Sequence, residues 1–288
     1  MPTITAATVP SDPASGNEDW YAATEDVVVV LDGATIRTDT GCVHGLRWYV
    51  HQLGTALLAG AASLEADLRH VLRDAIVRVR GMHADRCDLE HPGTPSAAVG
   101  IVRRNGDDIE WLVLADITVM VEHDAGLHVE ADERVSATAP EKRAACHQFP
   151  IGSPEKLEAI VAMKHDELAA RNVAGGYWVA SVVPEAADHA LVGSWPAREV
   201  HRVAACSDGA MRCLEMTTVN THSAVMAVLR TAGPEWLIDY VRAAEESDPR
   251  GTRWPRNKGT DDATAVMWNL EAVASSPARH VRRALAVS

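Results

Sequence analysis

Phenylalanine is nearly missing from this 288-residue chain, which carries one, and aromatic residues make up only 5% of it. The eight tryptophans are therefore read as fillers of core and sheet faces rather than as a ligand cage. Cysteine is scarce as well. Cys42, Cys87, Cys146, Cys206 and Cys213 are odd in number and lack any Cys-x-x-Cys spacing. This excludes a disulfide-stapled scaffold and fits a reducing, cytoplasmic setting. Basic charge is in short supply, with 27 Lys and Arg against 40 Asp and Glu and a net charge of −13. A nucleic-acid binder needs a basic face, so no nucleic-acid partner is expected. Asp, Arg or His interrupts every apolar run before it reaches the length of a membrane span, so no membrane partner is expected either. Met1-Pro2-Thr3-Ile4-Thr5 has neither the basic start nor the apolar stretch of a secretory leader. Also missing are a Gly-x-Gly-x-x-Gly fingerprint, a phosphate loop and a Gly-x-Ser-x-Gly elbow.

What is present reads as a globular chain, 47% hydrophobic and 23% charged. It has no internal repeat, low-complexity tract or long linker, so a single domain over 1–288 is expected. The stretch up to Gly16 predicts a short strand and a turn. Val27 to Leu31 is a continuous β-branched run, which predicts a buried strand. Two amphipathic helices follow. Val43, Leu46, Val50, Leu53 and Leu57 line the first, and Leu64, Leu68, Val71, Leu72, Ile76 and Val79 the second, with Ser63 as its N-cap. Ala97–Val102, Ile109–Leu114, Ile117–Val121 and Leu127–Glu130 predict an antiparallel meander, with Asn105-Gly106 as its first hairpin turn. Ser153-Pro154 opens a helix whose Leu157, Ile160, Val161 and Leu168 share a face. Tyr177–Val183 and Glu199–Cys206 are predicted strands; two helices follow, the second opening at Pro234, and Ala263–Leu270 closes the set. Strands grouped with strands, and helices interleaved in pairs, predict an α+β protein with mostly antiparallel sheets.

Acidic residues recur at the ends of the most apolar strands. Asp32-Gly33 follows Val27–Leu31, Ser207-Asp208-Gly209 follows Glu199–Cys206, and Asp261-Asp262 precedes Ala263–Leu270. Asn17-Glu18-Asp19 lies just ahead of the first, and Ala115-Asp116 ends a meander strand. A buried carboxylate is costly without a positive partner. Several at one rim suggest a shared set of oxygen ligands for hard divalent cations.

The order of these motifs resembles the metal-dependent serine/threonine protein phosphatases of type 2C, as a divergent bacterial member. The resemblance runs from about Asn17 to Leu270. It covers Asn17-Glu18-Asp19, the hydrophobic-Asp-Gly of Val27–Gly33, and Pro92–Ala97 as the Gly-Ser/Thr-Thr-Ala strand opening. It continues through Leu112–Thr118 as the strand into Gly-Asp-Ser, Val203–Gly209 as Ser-Asp-Gly, and Asp261–Met267 as the closing Asp-Asn-x-Thr strand. It implies an αββα sandwich, two packed antiparallel sheets flanked by helix pairs. It also implies two Mn²⁺ or Mg²⁺ ions bridged by Asp32, one touching the Gly33 carbonyl, the other held by Asp208 and Asp261. Glu18 and Asp19 would hold metal-bound waters.

The departures are specific. Family members commonly carry an Arg four residues before the Glu of the first motif, where this chain has Ala14; Ala34 stands where many have His after Asp-Gly. Arg212 replaces the acidic residue that would join Asp116 in holding a third metal, and is a candidate substrate-phosphate holder in place of Ala14. His44, following Gly41-Cys42-Val43, is a candidate general acid. Cys42 and His44 with Cys146-His147 are zinc-ligand types whose spacing matches no pattern closely. The reading that follows is a metal-dependent phosphomonoester hydrolase acting on phosphoserine/threonine protein or a small phosphorylated metabolite. The alternatives are a catalytically silent member that binds a protein partner or phosphorylated ligand, and a repurposed hydrolase of a non-phosphate bond.

Overall fold

The computed structural model describes residues 3–35 and 39–270. Along the chain lie β1 (Thr3–Val9), β2 (Trp20–Ala23), β3 (Val27–Gly33), α1 (Leu46–Ala61), α2 (Leu68–His83), β4 (Ala97–Asn105), β5 (Asp108–Leu114), β6 (Thr118–His123) and β7 (Gly126–Glu130). After these come α3 (Pro140–His147), α4 (Pro154–Ala169), β8 (Leu191–Pro196), β9 (Val200–Cys206), α5 (Asp208–Met211), α6 (Cys213–Met216), α7 (His222–Thr231), α8 (Pro234–Ser247) and β10 (Ala263–Asn269). One sheet has the order β1-β10-β9-β6-β7 and the other β2-β3-β4-β5-β8, and all their strand pairs are antiparallel.

Alternation along the strands builds three apolar layers. Val28 and Val30 of β3 pack with Val119 and Val121 of β6, Val203 and Ala205 of β9, and Val266 and Trp268 of β10, so this layer lies between the sheets. Val27, Val29 and Leu31 point the other way, against Tyr49, Leu53 and Leu57 of α1 and Leu72 and Ile76 of α2. On the far side, Met120, Ala204, Ala265 and Met267 meet Val225 and Leu229 of α7 and Leu237, Ile238 and Val241 of α8. Period-2 strands with both faces covered produce this order: helices, sheet, sheet, helices. The α+β class expected from the sequence and the sandwich layering implied by the resemblance are both observed.

Several local expectations need correction. Helix α2 is capped by Asp67, whose side chain accepts from the His70 N–H; Ser63 and Leu64 precede the helix, and Leu64 is exposed. Val43 is likewise exposed ahead of α1. Ile160 of α4 is buried, whereas Leu157 and Val161 face solvent, so its apolar face is narrower than the spacing suggested. Tyr177–Val183 forms no strand; Tyr177 and Val179 pack into the core between the sheets, and the one backbone bridge from this stretch to a sheet strand runs from Ala180 to Ala97. The strand in that part of the chain is β8, whose Leu191, Gly193 and Trp195 run along β5. Arg256 is buried against Asp248, and Arg242 packs on Glu245, so both arginines are structural.

Candidate metal centre

Register brings the acidic strand ends together. Thr118 pairs with Cys206 and Cys206 with Ala265, which sets Asp116, Asp208 and Asp261 at one end of their sheet. In the facing sheet, Asp32 lies opposite Ala98 and shares the inward parity of Val28 and Val30. Two glycines make the close approach possible. A Cβ on Gly209 would sit 1.9 Å from the Asp262 carbonyl oxygen, and one on Gly33 would sit 2.6 Å from that of Glu18. Any side chain at either position would push the strand ends apart.

Asp19 anchors the site from the side of β2. Its Oδ2 accepts from the Ser207 hydroxyl at 2.8 Å, and Ser207 Oγ accepts the Thr264 N–H at 2.9 Å. Its Oδ1 is buried and, among the described residues, has no partner. Asp262 is spent on structure, for its two oxygens accept the N–H groups of Ser11 and Glu18 at 2.5 Å each. Asp208 opens onto solvent from the first turn of α5. Glu18 accepts from the Thr35 hydroxyl at 2.9 Å.

Crowding leaves its electrostatic mark. Burial, followed by the charges of Asp19, Asp208, Asp116 and Asp261, holds the Asp32 carboxyl well above its ordinary range. Burial and the nearby Asp208 push Asp116 up to about 7. Asp19 also rises to about 7, mainly by burial, against the lowering effect of its bonds to Thr264 and Ser207. Asp208 features in every one of these repulsions. A divalent ion bound there would relieve at once the repulsion that each carboxylate suffers.

Asp261 is different. Its Oδ2 accepts from Arg212 Nη2 at 2.7 Å, and its Oδ1 is paired with Lys258 Nζ. Burial still raises its carboxyl to about 6, with Asp208 adding to the rise and the two cations opposing it. Arg212 Nη1 in turn donates to Glu245 at 2.5 Å, and Glu245 accepts from Arg242 at 2.7 Å. Lys258 also donates to Thr35 Oγ1 at 2.9 Å, which ties it to Glu18. The residues therefore gather Asp32, Asp208 and Asp19 near enough to feel one another's charge, as the ligands of one divalent ion would. They do not fit a second ion at Asp261 unless Lys258 or Arg212 gives way.

Two expectations change accordingly. Arg212 was a candidate to hold substrate phosphate, but its two terminal nitrogens are committed to Glu245 and Asp261, and its side chain is only 16% exposed. His44 was a candidate general acid. Its ring stacks on Trp48, and its Nδ1 lies 3.4 Å from Cys87 Sγ, facing thiols rather than carboxylates. Cys146 is apart from both, buried against Met163. Lys258 was not foreseen, although a Lys three residues before an acidic pair on a loop is the signal that finds it. Ala115 was also unforeseen: it holds a left-handed φ of 63° just before Asp116, with its N–H bonded to Asp132.

No protein-family model matches the sequence, and comparison with curated proteins finds no match. Solved structures do match. The serine/threonine phosphatase PstP/Ppp of Mycobacterium tuberculosis is 12% identical with a TM-score of 0.53, over 94% of this chain and 99% of that one. A structure of the PstP catalytic domain in complex with two manganese ions is 13% identical with a TM-score of 0.53, over 93% and 97%. The PPM phosphatase MsPP of Mycobacterium smegmatis, in complex with cacodylate, is 15% identical with a TM-score of 0.54, over 93% and 98%. The protein has the fold of the type 2C, or PPM-type, serine/threonine phosphatases.

Proposed function

We propose that this chain is a divergent type 2C phosphatase, a divalent-cation-dependent hydrolase of phosphomonoesters on protein or on a small metabolite. The observation that carries the reading is the convergence of Asp19, Asp32, Asp116 and Asp208 from two sheets, with Asp19 Oδ1 buried and unpartnered among the described residues. Fold alone does not carry function, so the reading rests on that cluster. Asp32 and Asp208 would hold Mn²⁺ or Mg²⁺ with the Gly33 carbonyl, and Asp19 and Glu18 would position water. Divalent ions in such a site supply a hydroxide-like nucleophile near neutral pH and a clamp for phosphoryl oxygens. Ser207 fixes the Asp19 carboxylate by its 2.8 Å bond, and Thr35 fixes Glu18. Lys258 and Arg212 hold Asp261 in place and supply positive charge where a second ion would otherwise sit.

The test is hydrolysis of an aryl phosphate by the full chain. Activity should require added Mn²⁺ or Mg²⁺, stop with chelator and vanish in Asp32→Asn. It should be slow, because the missing Arg at Ala14 costs on the order of 10²-fold or more. Turnover that survives Asp32→Asn overturns the assignment of the site.

One observation favours a second reading. Asp261 is already neutralised by cations of the chain, which is what a silent family member that no longer needs two metals would keep. Such a protein would bind Mn²⁺ or a phosphorylated ligand without hydrolysing it.

A further inference from the structure

Away from the carboxylates, four side chains of ligand type meet between the loop ahead of α1 and the end of α2. Cys42 and His44 come from that loop, His83 from the last residue of α2, and Cys87 from the turn after it. Cys42 Sγ lies 3.3 Å from Cys87 Sγ, 3.7 Å from His83 Nδ1 and 4.0 Å from His44 Nδ1. Cys87 Sγ lies 3.4 Å from His44 Nδ1. One ligand atom from each of the four falls within 4.8 Å of all the others. A tetrahedral zinc bonds sulfur at about 2.3 Å and nitrogen at about 2.0–2.1 Å, so its ligand atoms sit about 3.3–3.8 Å apart. The separations bracket that edge length.

We propose that Cys42, His44, His83 and Cys87 form a closed, structural Cys₂His₂ zinc site that staples the loop before α1 to the end of α2. The local backbone is shaped for it. Gly41 and Gly45 take left-handed φ values of 62° and 78°, which fold Cys42-Val43-His44 into a tight loop while Val43 points to solvent. The Asp88 N–H donates to the Gly41 carbonyl at 2.9 Å, and the Cys87 N–H to the His83 carbonyl at 3.0 Å, so both ligand pairs are set by main chain. His83-x₃-Cys87 has the short ligand spacing of structural zinc sites. Trp48 stacks on His44 at 4.3 Å and stands 5.4 Å from His83, which fixes the rings and shields the cluster. His83 is fully buried and, among the described residues, its Nε2 has no partner; burial favours the neutral ring, the form in which imidazole ligates. Two thiolates and two neutral imidazoles cancel the charge of Zn²⁺, and binding releases the two thiol protons to solvent. With four protein ligands the site has no open position, which marks it as structural rather than catalytic.

The experiment uses the full chain. Metal analysis of purified protein should find about one zinc per chain, and dialysis against chelator should lower the melting temperature. Refilling with Co²⁺ should give thiolate-to-cobalt charge-transfer absorption and the visible bands of tetrahedral cobalt. Cys42→Ser and Cys87→Ser should each lose zinc and the charge-transfer band. Asp32→Asn should keep both, which separates this site from the carboxylate cluster. His44→Cys should retain zinc with a more intense thiolate band, and it serves as the decisive variant if the serine variants do not fold. Absence of a cobalt-thiolate band in the unmutated chain overturns the proposal. So does a thiol count without reductant that shows Cys42 and Cys87 cross-linked as isolated.

Discussion

Arg212 Nη2 donates to Asp261 Oδ2 at 2.7 Å, while Arg212 Nη1 reaches the fully buried Glu245 at 2.5 Å. A guanidinium thus stands between the carboxylate cluster and the outer helix layer. It ties the start of β10 to α8, and it spends on Asp261 the positive charge that a metal would otherwise bring. Its own proton is secure, for the neighbouring carboxylates outweigh burial and raise its pKa further.

Removing that guanidinium should have two opposite effects. Arg212→Ala leaves Glu245 with Arg242 alone, so stability should fall by roughly 1–3 kcal/mol in denaturant melts without metal. Asp261 then keeps only Lys258, so a second Mn²⁺ should bind more tightly than in the parent. Mn²⁺ titrations that show the same stoichiometry and affinity for both proteins would deny Arg212 this role.

The raised carboxyls set a pH dependence. Asp19 and Asp116 titrate near 7 and Asp261 near 6 in the fold, against an ordinary value of 3.8. Below about pH 4 these groups are protonated in both states. Between there and about 7 the unfolded chain has released protons that the folded one retains, so stability is lost as pH rises through the folded values. The metal-free melting temperature should therefore fall from pH 5 to pH 8. Saturating Mn²⁺ should flatten or reverse that fall, because the ion binds the ionised form. A metal-free profile that rises over this range would count against a buried, uncompensated cluster.

Much of this was legible in the sequence. Val27–Leu31 announces its strand because β-branched residues in an unbroken run suit a strand covered on both faces, and both faces are covered. The strand-end aspartates were visible because carboxylates beside apolar runs demand a partner. The fate of Asp261 was not, since Lys258 and Arg212 reach it from different loops and the outcome depends on three-dimensional neighbours. Tyr177–Val183 misled because an apolar stretch can pack on a core without joining a ladder. Cys42 and His44 looked unmatched because their companions, His83 and Cys87, lie one helix pair away in the chain and are joined by the α1–α2 turn.

Ala115 offers a cleaner stability test. It occupies left-handed backbone at φ 63° between β5 and Asp116, where a Cβ costs about 1 kcal/mol relative to glycine. Ala115→Gly should stabilise the fold by up to about that amount, and equilibrium denaturation would read it. A loss of stability would mean that the Cβ, which is buried, contributes more packing than strain.

The most direct test of the carboxylate centre is calorimetric titration of Mn²⁺ into chelator-treated protein, alongside Asp32→Asn and Asp208→Asn. The expected result is saturable binding to the parent, with one ion bound more tightly than any second, and loss of that tight step in both variants. An isotherm without binding in the parent, or one unchanged by removing either carboxylate, would contradict the assignment of these strand ends as a metal centre.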